Sequence, residues 1–401
     1  MKKFLSNLSF VFLANIVNAL SKFVFIIMIT KFLTNIELGK YTLALAVTAP
    51  ITLLFNMKLR SYIITTDEIN FKKLKFIRNI SNLLAIIIVI FITSLIYKDY
   101  LIVFLLVAFI KILEMNSEFY QGFPNKEKIF ITPAKIMTYR TIALTILFCG
   151  VIYYFENLLL ALLSQIVLQF IFLIFERKIN LSAVELDNYK SNEPIKLIIL
   201  TIFPLGIVQA LMSFSSSIPK YLLDIYADVQ LIGVFSAIIY LITIVNLFMS
   251  TLNQTLLPYL KTIYYRDEFK FRKIVNIYCN LLFLLVTMML LLITHLVGED
   301  LLVILFNDSF IKYKYLLIIC SITILFNMSG WMYDSVLLIK KKVKYQPLFL
   351  IFSLLVTLVI GNYLISDYKV LGAGITLLIF NFLNTIFKAL YFNIESKKGD
   401  E

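Results

Sequence analysis

Apolar segments about twenty residues long recur from one end of this chain to the other, and about twenty apolar residues are what a helix needs to cross the hydrocarbon core of a bilayer. Lipid offers no partner for a free backbone N–H or C=O, so each segment must satisfy its own hydrogen bonds by being helical. Of 401 residues 61% are hydrophobic and only 15% charged, a balance that excludes a soluble domain of this size. The expected fold class is therefore all-α and integral to the membrane, with twelve transmembrane helices at 8–31, 40–58, 80–97, 100–118, 136–155, 157–175, 196–218, 231–257, 275–297, 315–339, 346–365 and 370–391. Met1-Lys2-Lys3 leads into an apolar stretch too long for a signal peptide's core and lacking a small-residue cleavage site, so the first helix is expected to stay. Cys149, Cys279 and Cys320 lie inside apolar segments without metal or redox spacing and are read as packing residues.

The basic residues orient these spans. With the N-terminus inside, 26 of the 37 lysines and arginines, Arg78 and Arg177 among them, fall on cytoplasmic segments and 7 on outer ones. A missed or invented helix would swap rich and poor loops from that point on, and no swap occurs, so both termini are expected in the cytoplasm. The net charge of +13 thus follows from topology; no basic face on a soluble module exists to bind nucleic acid. All loops are short. That argues against membrane glycosyltransferases, polymerases and ligases, which need a sizeable domain to hold an acceptor and catalytic acids.

Gly39-Lys40-Tyr41-Thr42 opens the second span and Gly233-Val234-Phe235-Ser236 the eighth, the same order of glycine, aromatic and hydroxyl six helices apart. An even spacing gives both halves one orientation, predicting two parallel six-helix lobes around a central cavity: 1–180, a cytoplasmic linker 181–195, and 196–401. The plainer reading is that glycine and an aromatic mark a helix start at the interface.

Polar residues inside spans are the functional signal, because a charge at mid-bilayer costs about 3 kcal/mol on insertion scales and must face the bundle or a wet cavity. Asn15, Asn18 and Lys22 share one face of the first span, and Thr243, Asn246, Ser250 and Asn253 form a stripe in the eighth. Such amides either line a cavity or bond neighbouring helices. Lys111, Glu114 and Glu118 follow i, i+3, i+7 in the fourth span. Two readings stand, a structural ion pair and a carboxylate that exchanges a proton. The seventh span is expected to break at Pro204-Leu205-Gly206 and again at Pro219, freeing carbonyls at a hinge or cavity. Lys220 and Asp224 follow at i, i+4, near the outer surface, where snorkelling is the alternative. Arg60, Arg140 and Asp334 stand near inner helix ends, where an interfacial role competes with a cavity role. His295 has no nearby second ligand, and Gly372 and Gly374 have no strand before them and no Lys-Ser/Thr after, so neither a metal site nor a phosphate loop is read. Catalytic residues and cofactors are not expected.

These residues together resemble the bacterial polysaccharide repeat-unit flippases, the Wzx-type O-antigen and capsule exporters of the multidrug/oligosaccharidyl-lipid/polysaccharide (MOP) superfamily, over nearly the full length. The resemblance rests on Gly39-x-Tyr41-x-x-Ala44, on Leu59-Arg60-Ser61-Tyr62 through Thr66-Asp67 to Arg78, on Pro204-Leu205-Gly206, on Ile218-Pro219-Lys220-Tyr221, and on Gly233-x-Phe235-Ser236-Ala237-x-x-Tyr240. Lys220 stands where the family commonly has arginine, keeping the charge without the planar fork. The resemblance implies an oligosaccharide on undecaprenyl pyrophosphate, moved from the inner to the outer leaflet of the bacterial inner membrane. Its implied partners are that lipid-linked sugar, membrane lipids, and a polysaccharide polymerase and chain-length regulator. It assigns Lys22, Lys220, Arg60, Lys111 and Arg140 to the anionic headgroup and Asn15, Asn18, Asn246, Ser250 and Asn253 to the sugar path. Glu114, Glu118 and Asp224 become coupling residues, and Pro204, Gly206 and Pro219 a hinge. The rivals are a drug or cation antiporter of the same superfamily, expected to place carboxylates rather than lysines deep in the first lobe, and a membrane-embedded polymerase or ligase.

The charge distribution makes one direct prediction: green fluorescent protein fused after Glu401 fluoresces, while alkaline phosphatase at the same place is inactive, as a cytoplasmic C-terminus requires.

Overall fold

The computed structural model describes residues 2–185, 189, 191–340, 342 and 345–397, and among these not the side chains of 2–9, 244, 246–248, 250–256, 258 and 395–397. No β-strand forms among the described residues. Ten helices are long and apolar enough to cross a membrane. One of them, Gln346–Lys397, is two helices merged across Lys369 (φ 47°, ψ −118°), and the helix Val229–Arg266 adds a further apolar segment over Val229–Thr243. Counting both halves of that helix and the shorter segment, the described residues hold twelve apolar helical segments, against the twelve spans that the sequence predicts.

The chain divides into two compact units, Met1–Ser217 and Ile218–Glu401. The division falls inside one helix, close to Pro219. In the first unit lie α1 (Lys2–Phe32), α2 (Asn35–Asn56), α3 (Leu59–Thr65), α4 (Phe71–Ile96), α5 (Leu101–Lys126), α6 (Ile131–Phe155), α7 (Leu158–Ser182) and the first part of α8 (Ile195–Tyr226). Several of these helices start where the side chain before them supplies an acceptor for an orphan backbone donor: Thr34 accepts from Glu37 N, Asn70 from Lys73 N and Asn157 from Leu160 N. Packing then closes a ring, in which α1 lies on α6, α6 on α7, α7 on α5, α5 on α2, and α2 on α1. Outside the ring α4 covers α2 and α5, and its far face exposes Leu83, Ile87, Phe91 and Leu95, as a helix facing lipid must.

Between α2 and α3 the chain takes two left-handed non-glycine residues in succession, Met57 (φ 50°) and Lys58 (φ 48°). Each such residue costs on the order of 1 kcal/mol or more. Burial of Met57, Leu59 and Ile63 in a cluster with Leu74, Phe119 and Phe123 offsets that cost. The same cluster takes in Tyr189, whose hydroxyl donates to Glu127 at 2.6 Å. Burial and that carboxylate push the Tyr189 hydroxyl above the ordinary tyrosine range.

The second unit holds the rest of α8, then α9 (Val229–Arg266), α10 (Glu268–Lys273), α11 (Asn280–Leu305), α12 (Lys314–Ile339) and α13 (Gln346–Lys397), with a turn of π-helix at Ile274–Cys279. Here α12 is the central helix, packed on α9, α11 and α13. After Lys369 the chain returns so closely that a Cβ on Gly372 would overlap the Leu364 carbonyl. The repeated motif occupies one register in both units: Gly39 and Gly233 are each the fifth residue of their helix, and Tyr41, Thr42, Phe235 and Ser236 are all buried.

Three expectations need correction. The seventh span is not broken, since α8 is helical without interruption through Pro204 and Pro219; transmembrane helices tolerate proline where hydroxyl side chains and small backbone adjustments satisfy the freed carbonyls. Gly206 allows a close approach, because its backbone lies against the Leu54 carbonyl where any Cβ would collide. The third helix begins at Phe71 rather than 80, which puts Arg78 inside it, 1% exposed, and not on a loop. The fifth begins at Ile131 rather than 136, so Arg140 lies in its third turn, where it is buried.

Gly206→Ala is expected to lower the melting temperature of the solubilised protein by the equivalent of about 1–3 kcal/mol. Gly150→Ala, where a Cβ meets nothing within 4 Å, is expected to leave it unchanged or raise it slightly.

Candidate functional site

Within the helix ring of the first unit lies a polar cavity with about 680 Å³ of empty space. Its wall is built helix by helix: α1 gives Asn15, Asn18, Ser21 and Lys22, α3 gives Arg60, α5 gives Glu114, Glu118 and Gln121, α6 gives Arg140 and Thr141, and α7 gives Gln165 and Gln169. A smaller space of about 290 Å³ shares Asn15, Arg60 and Gln121 and reaches Asn125 and Pro133. Periodicity explains the convergence, because residues at i, i+3, i+4 and i+7 on a helix share a face. Arg60 is the exception. It reaches the wall only because the left-handed turn at Met57 and Lys58 redirects the chain after α2.

The charges form three groups. Glu114 accepts from Lys111 at 2.8 Å, one turn back on α5, and lies 3.7 Å from Lys22 on α1. Lys111 touches the cavity only through this carboxylate. Arg140 holds Glu176 of α7 at 3.0 Å, both groups nearly inaccessible, and also donates to the Ser117 hydroxyl on α5. Gln121 donates to the same hydroxyl at 3.1 Å. In the third group Arg78 donates to Asn56 Oδ1 at 3.0 Å and to the Phe55 carbonyl at 2.6 Å, and Asn56 passes its own donor to Glu118 at 3.1 Å. Five cations therefore face three carboxylates. Arg60 forms no hydrogen bond or salt bridge to another described residue. On α7, Gln165 and Gln169 are buried with their amide oxygens unpartnered.

Of the sequence-predicted residues the structure brings together Asn15, Asn18, Lys22, Arg60, Glu114, Glu118 and Arg140 around one cavity. Lys220, Asp224 and Pro219 belong to the second unit. The side chains of Asn246, Ser250 and Asn253 lie outside the described residues. Asp334, expected at the interface, instead accepts from a buried Lys388 at 2.7 Å and from Gln346 at 2.9 Å. Nearby in the second unit, Asn276, Asn280, Ser329 and Tyr333 bond one another.

Sequence reasoning missed the contribution of α7. Gln165, Gln169, Glu176 and Asn180 fall within about 60° of arc at 3.6 residues per turn, all buried. That spacing was available, but Glu176 stands directly before Arg177 and Lys178 and reads as loop charge. Glu176 also gives the first half a deep carboxylate, the feature expected of a drug or cation antiporter. Cations nevertheless exceed acids there.

A membrane-embedded, all-helical bundle with a charged cavity is the class that fold and site define, and comparison with known structures places it. The chain superposes on an inward-facing multidrug resistance MATE family transporter of the MOP superfamily with a TM-score of 0.72, at 12% identity over 94% of each chain. It superposes on the inward-closed lipid II flippase MurJ with a TM-score of 0.73, at 12% identity over 95% of this chain and 87% of that one. The fold is thus that of the MOP transporters. No protein-family model matches the sequence, but it is 30% identical over 392 residues to the capsular polysaccharide biosynthesis protein CapF of Staphylococcus aureus, covering 95% of this chain and 97% of that protein. The chain belongs to the family of that capsular polysaccharide biosynthesis protein, built on the fold of the MOP transporters.

Because Arg140 and Glu176 answer each other out of water, Arg140→Leu or Glu176→Leu alone is expected to cost about 3–5 kcal/mol, and the double variant much less than the sum. Thermal unfolding of the four proteins in one detergent measures that coupling.

Proposed function

We propose that this protein carries an oligosaccharide linked to undecaprenyl pyrophosphate from the inner to the outer leaflet of a bacterial plasma membrane, by alternating access and without making or breaking a covalent bond. The observation that carries the reading is the cavity's charge. Lys22, Arg60 and Arg140 line the cavity against Glu114 and Glu118, and Arg60, which bonds no described residue, is available to an anion. Arginine's fork suits a diphosphate. Asn15, Asn18 and the unpartnered amide oxygens of Gln165 and Gln169 offer hydrogen bonds to sugar hydroxyls, and the prenyl chain stays in lipid.

In this proposal Lys22, Arg60 and Arg140 meet the headgroup, with Lys111 behind Glu114. Lys220, Asn246, Ser250 and Asn253 belong to the path contributed by the second half. Glu114, Glu118 and Asp224 couple transport to an ion, and Pro204, Gly206 and Pro219 flex. The passage from one compact unit to the other between Ser217 and Ile218, beside Pro219, supports that flexing point. Two six-helix lobes, joined through 181–195, exchange access, with both termini in the cytoplasm and a polysaccharide polymerase and chain-length regulator as neighbours.

One observation favours a second reading, export of a drug or cation, since Glu114 and Glu118 do line the cavity. The excess of cations weighs against it.

Complementation decides. In a bacterium lacking its own repeat-unit flippase and supplied with matching sugar enzymes, the wild-type gene is expected to restore surface polysaccharide. Lys22→Ala and Arg60→Ala, expressed at the same level, are expected to reduce it at least about tenfold while lipid-linked intermediate accumulates inside. Unchanged polysaccharide in both variants would sink the basic-cavity reading.

A further inference from the structure

Three carboxylates stand among the cations of the first unit, and their commitments differ. Glu176 is inaccessible and held by an arginine that also binds Ser117. Glu118 is held through the amide of Asn56, itself fixed by the buried Arg78. Glu114 alone is engaged by lysines. Its link to Lys111 stays within one helix at 2.8 Å, and its reach to Lys22 crosses from α5 to α1 at 3.7 Å, longer than a hydrogen bond. Both Lys22 and Glu114 keep part of their side chains accessible, 36% and 27%. Lys22 itself forms no hydrogen bond to another described residue, so its ammonium donors are free for a ligand.

We propose that Glu114 is a resident counter-anion, a carboxylate that occupies the lysine site between transport cycles and is displaced when the anionic headgroup arrives. This rests on the lipid-diphosphate reading above and adds to it a specificity device. Two unmatched ammonium groups would repel each other and favour the wrong anions; with Glu114 between them half of that charge is cancelled at rest. A singly charged anion gains little by exchanging with a carboxylate, whereas a diphosphate brings more charge and more acceptor oxygens than the group it replaces. The same carboxylate then competes for the lysines as the substrate leaves, which keeps binding from becoming a trap. Lysine suits exchange better than arginine, because a compact ammonium on a flexible stem changes partners without losing a planar bidentate fit.

Full-length protein in lipid nanodiscs, titrated calorimetrically with inorganic pyrophosphate, tests this. Glu114→Gln is expected to bind about threefold to fivefold more tightly than wild type, the most that an ion pair this accessible contributes. The gain is expected to vanish in the Lys22→Ala background. A gain that persists without Lys22 reports only a general field effect and overturns the proposal, as does unchanged or weaker binding in Glu114→Gln. If that variant does not fold, Glu114→Asp keeps the charge but withdraws it by one methylene, and a smaller gain in the same direction is expected; no gain overturns the proposal. Wild-type protein that fails to bind pyrophosphate, or binds it equally well after Lys22→Ala, overturns the anionic-headgroup reading and this inference with it. Lys22-dependent binding in wild type without a gain in Glu114→Gln overturns this inference alone.

Discussion

The pairing of Arg140 with Glu176 is the interaction on which the first unit depends. An unanswered charge in hydrocarbon costs about 3 kcal/mol even on lenient scales, so the pair commits α6 and α7 to face each other at one depth and rotation. Through Ser117 the same guanidinium reaches α5, fixing three of the five ring helices by one set of polar contacts. Leucines alone would allow those helices to slide, because lipid tails pack against apolar side chains as well as other helices do. Buried charge pairs are weak sources of net stability. What this one supplies is register.

Fixed register makes the rest of the cavity possible. Arg78 ties the end of α2 to α4 by holding Asn56 and the Phe55 carbonyl, at the point where the chain enters its strained left-handed turn. The turn stores unfavourable backbone energy and delivers Arg60 to the cavity wall in return. A cation without a protein partner would ordinarily fold back onto the nearest carbonyl. Here α3 is clamped by the cluster of Leu59, Tyr62 and Ile63, and the side chain stays at the cavity. Sequence, strain, packing and ligand chemistry meet at that one residue.

The sequence displays what depends on one helix at a time. Span number, the α1 stripe of Asn15, Asn18 and Lys22, and the α5 stripe of Lys111, Glu114 and Glu118 are all periodicities within one segment, and all appear as read. What depends on two helices is hidden. Nothing local tells that Arg140 will meet Glu176 thirty-six residues on, or that Arg78 will meet Asn56, and so both arginines look interfacial from position alone. Glu176 is masked further by its basic neighbours, Arg177 and Lys178. The proline reading of α8 failed because a lost donor that ends a helix in water is tolerated in a membrane-spanning one, where an unwound backbone would be costlier still.

The repeat adds a last step. Gly39 and Gly233 hold equal register in α2 and α9 with buried aromatic and hydroxyl neighbours, so the two halves keep one backbone plan at that point. Their polar interiors differ. Among the described residues of the second unit, Asn276, Asn280, Ser329 and Tyr333 bond one another and Asp334 takes one lysine, while Ser236, Thr287, Asn327 and Asn384 each keep an unpartnered buried side-chain oxygen. Around its cavity the first unit keeps an excess of cations, an Arg60 that bonds no described residue, and the unpartnered amide oxygens of Gln165 and Gln169. A satisfied network stabilises the bundle and has little left to offer a ligand, whereas an unsatisfied one can be completed by a ligand. The shared motif thus fixes a helix register in each half without dictating the polar side chains around it.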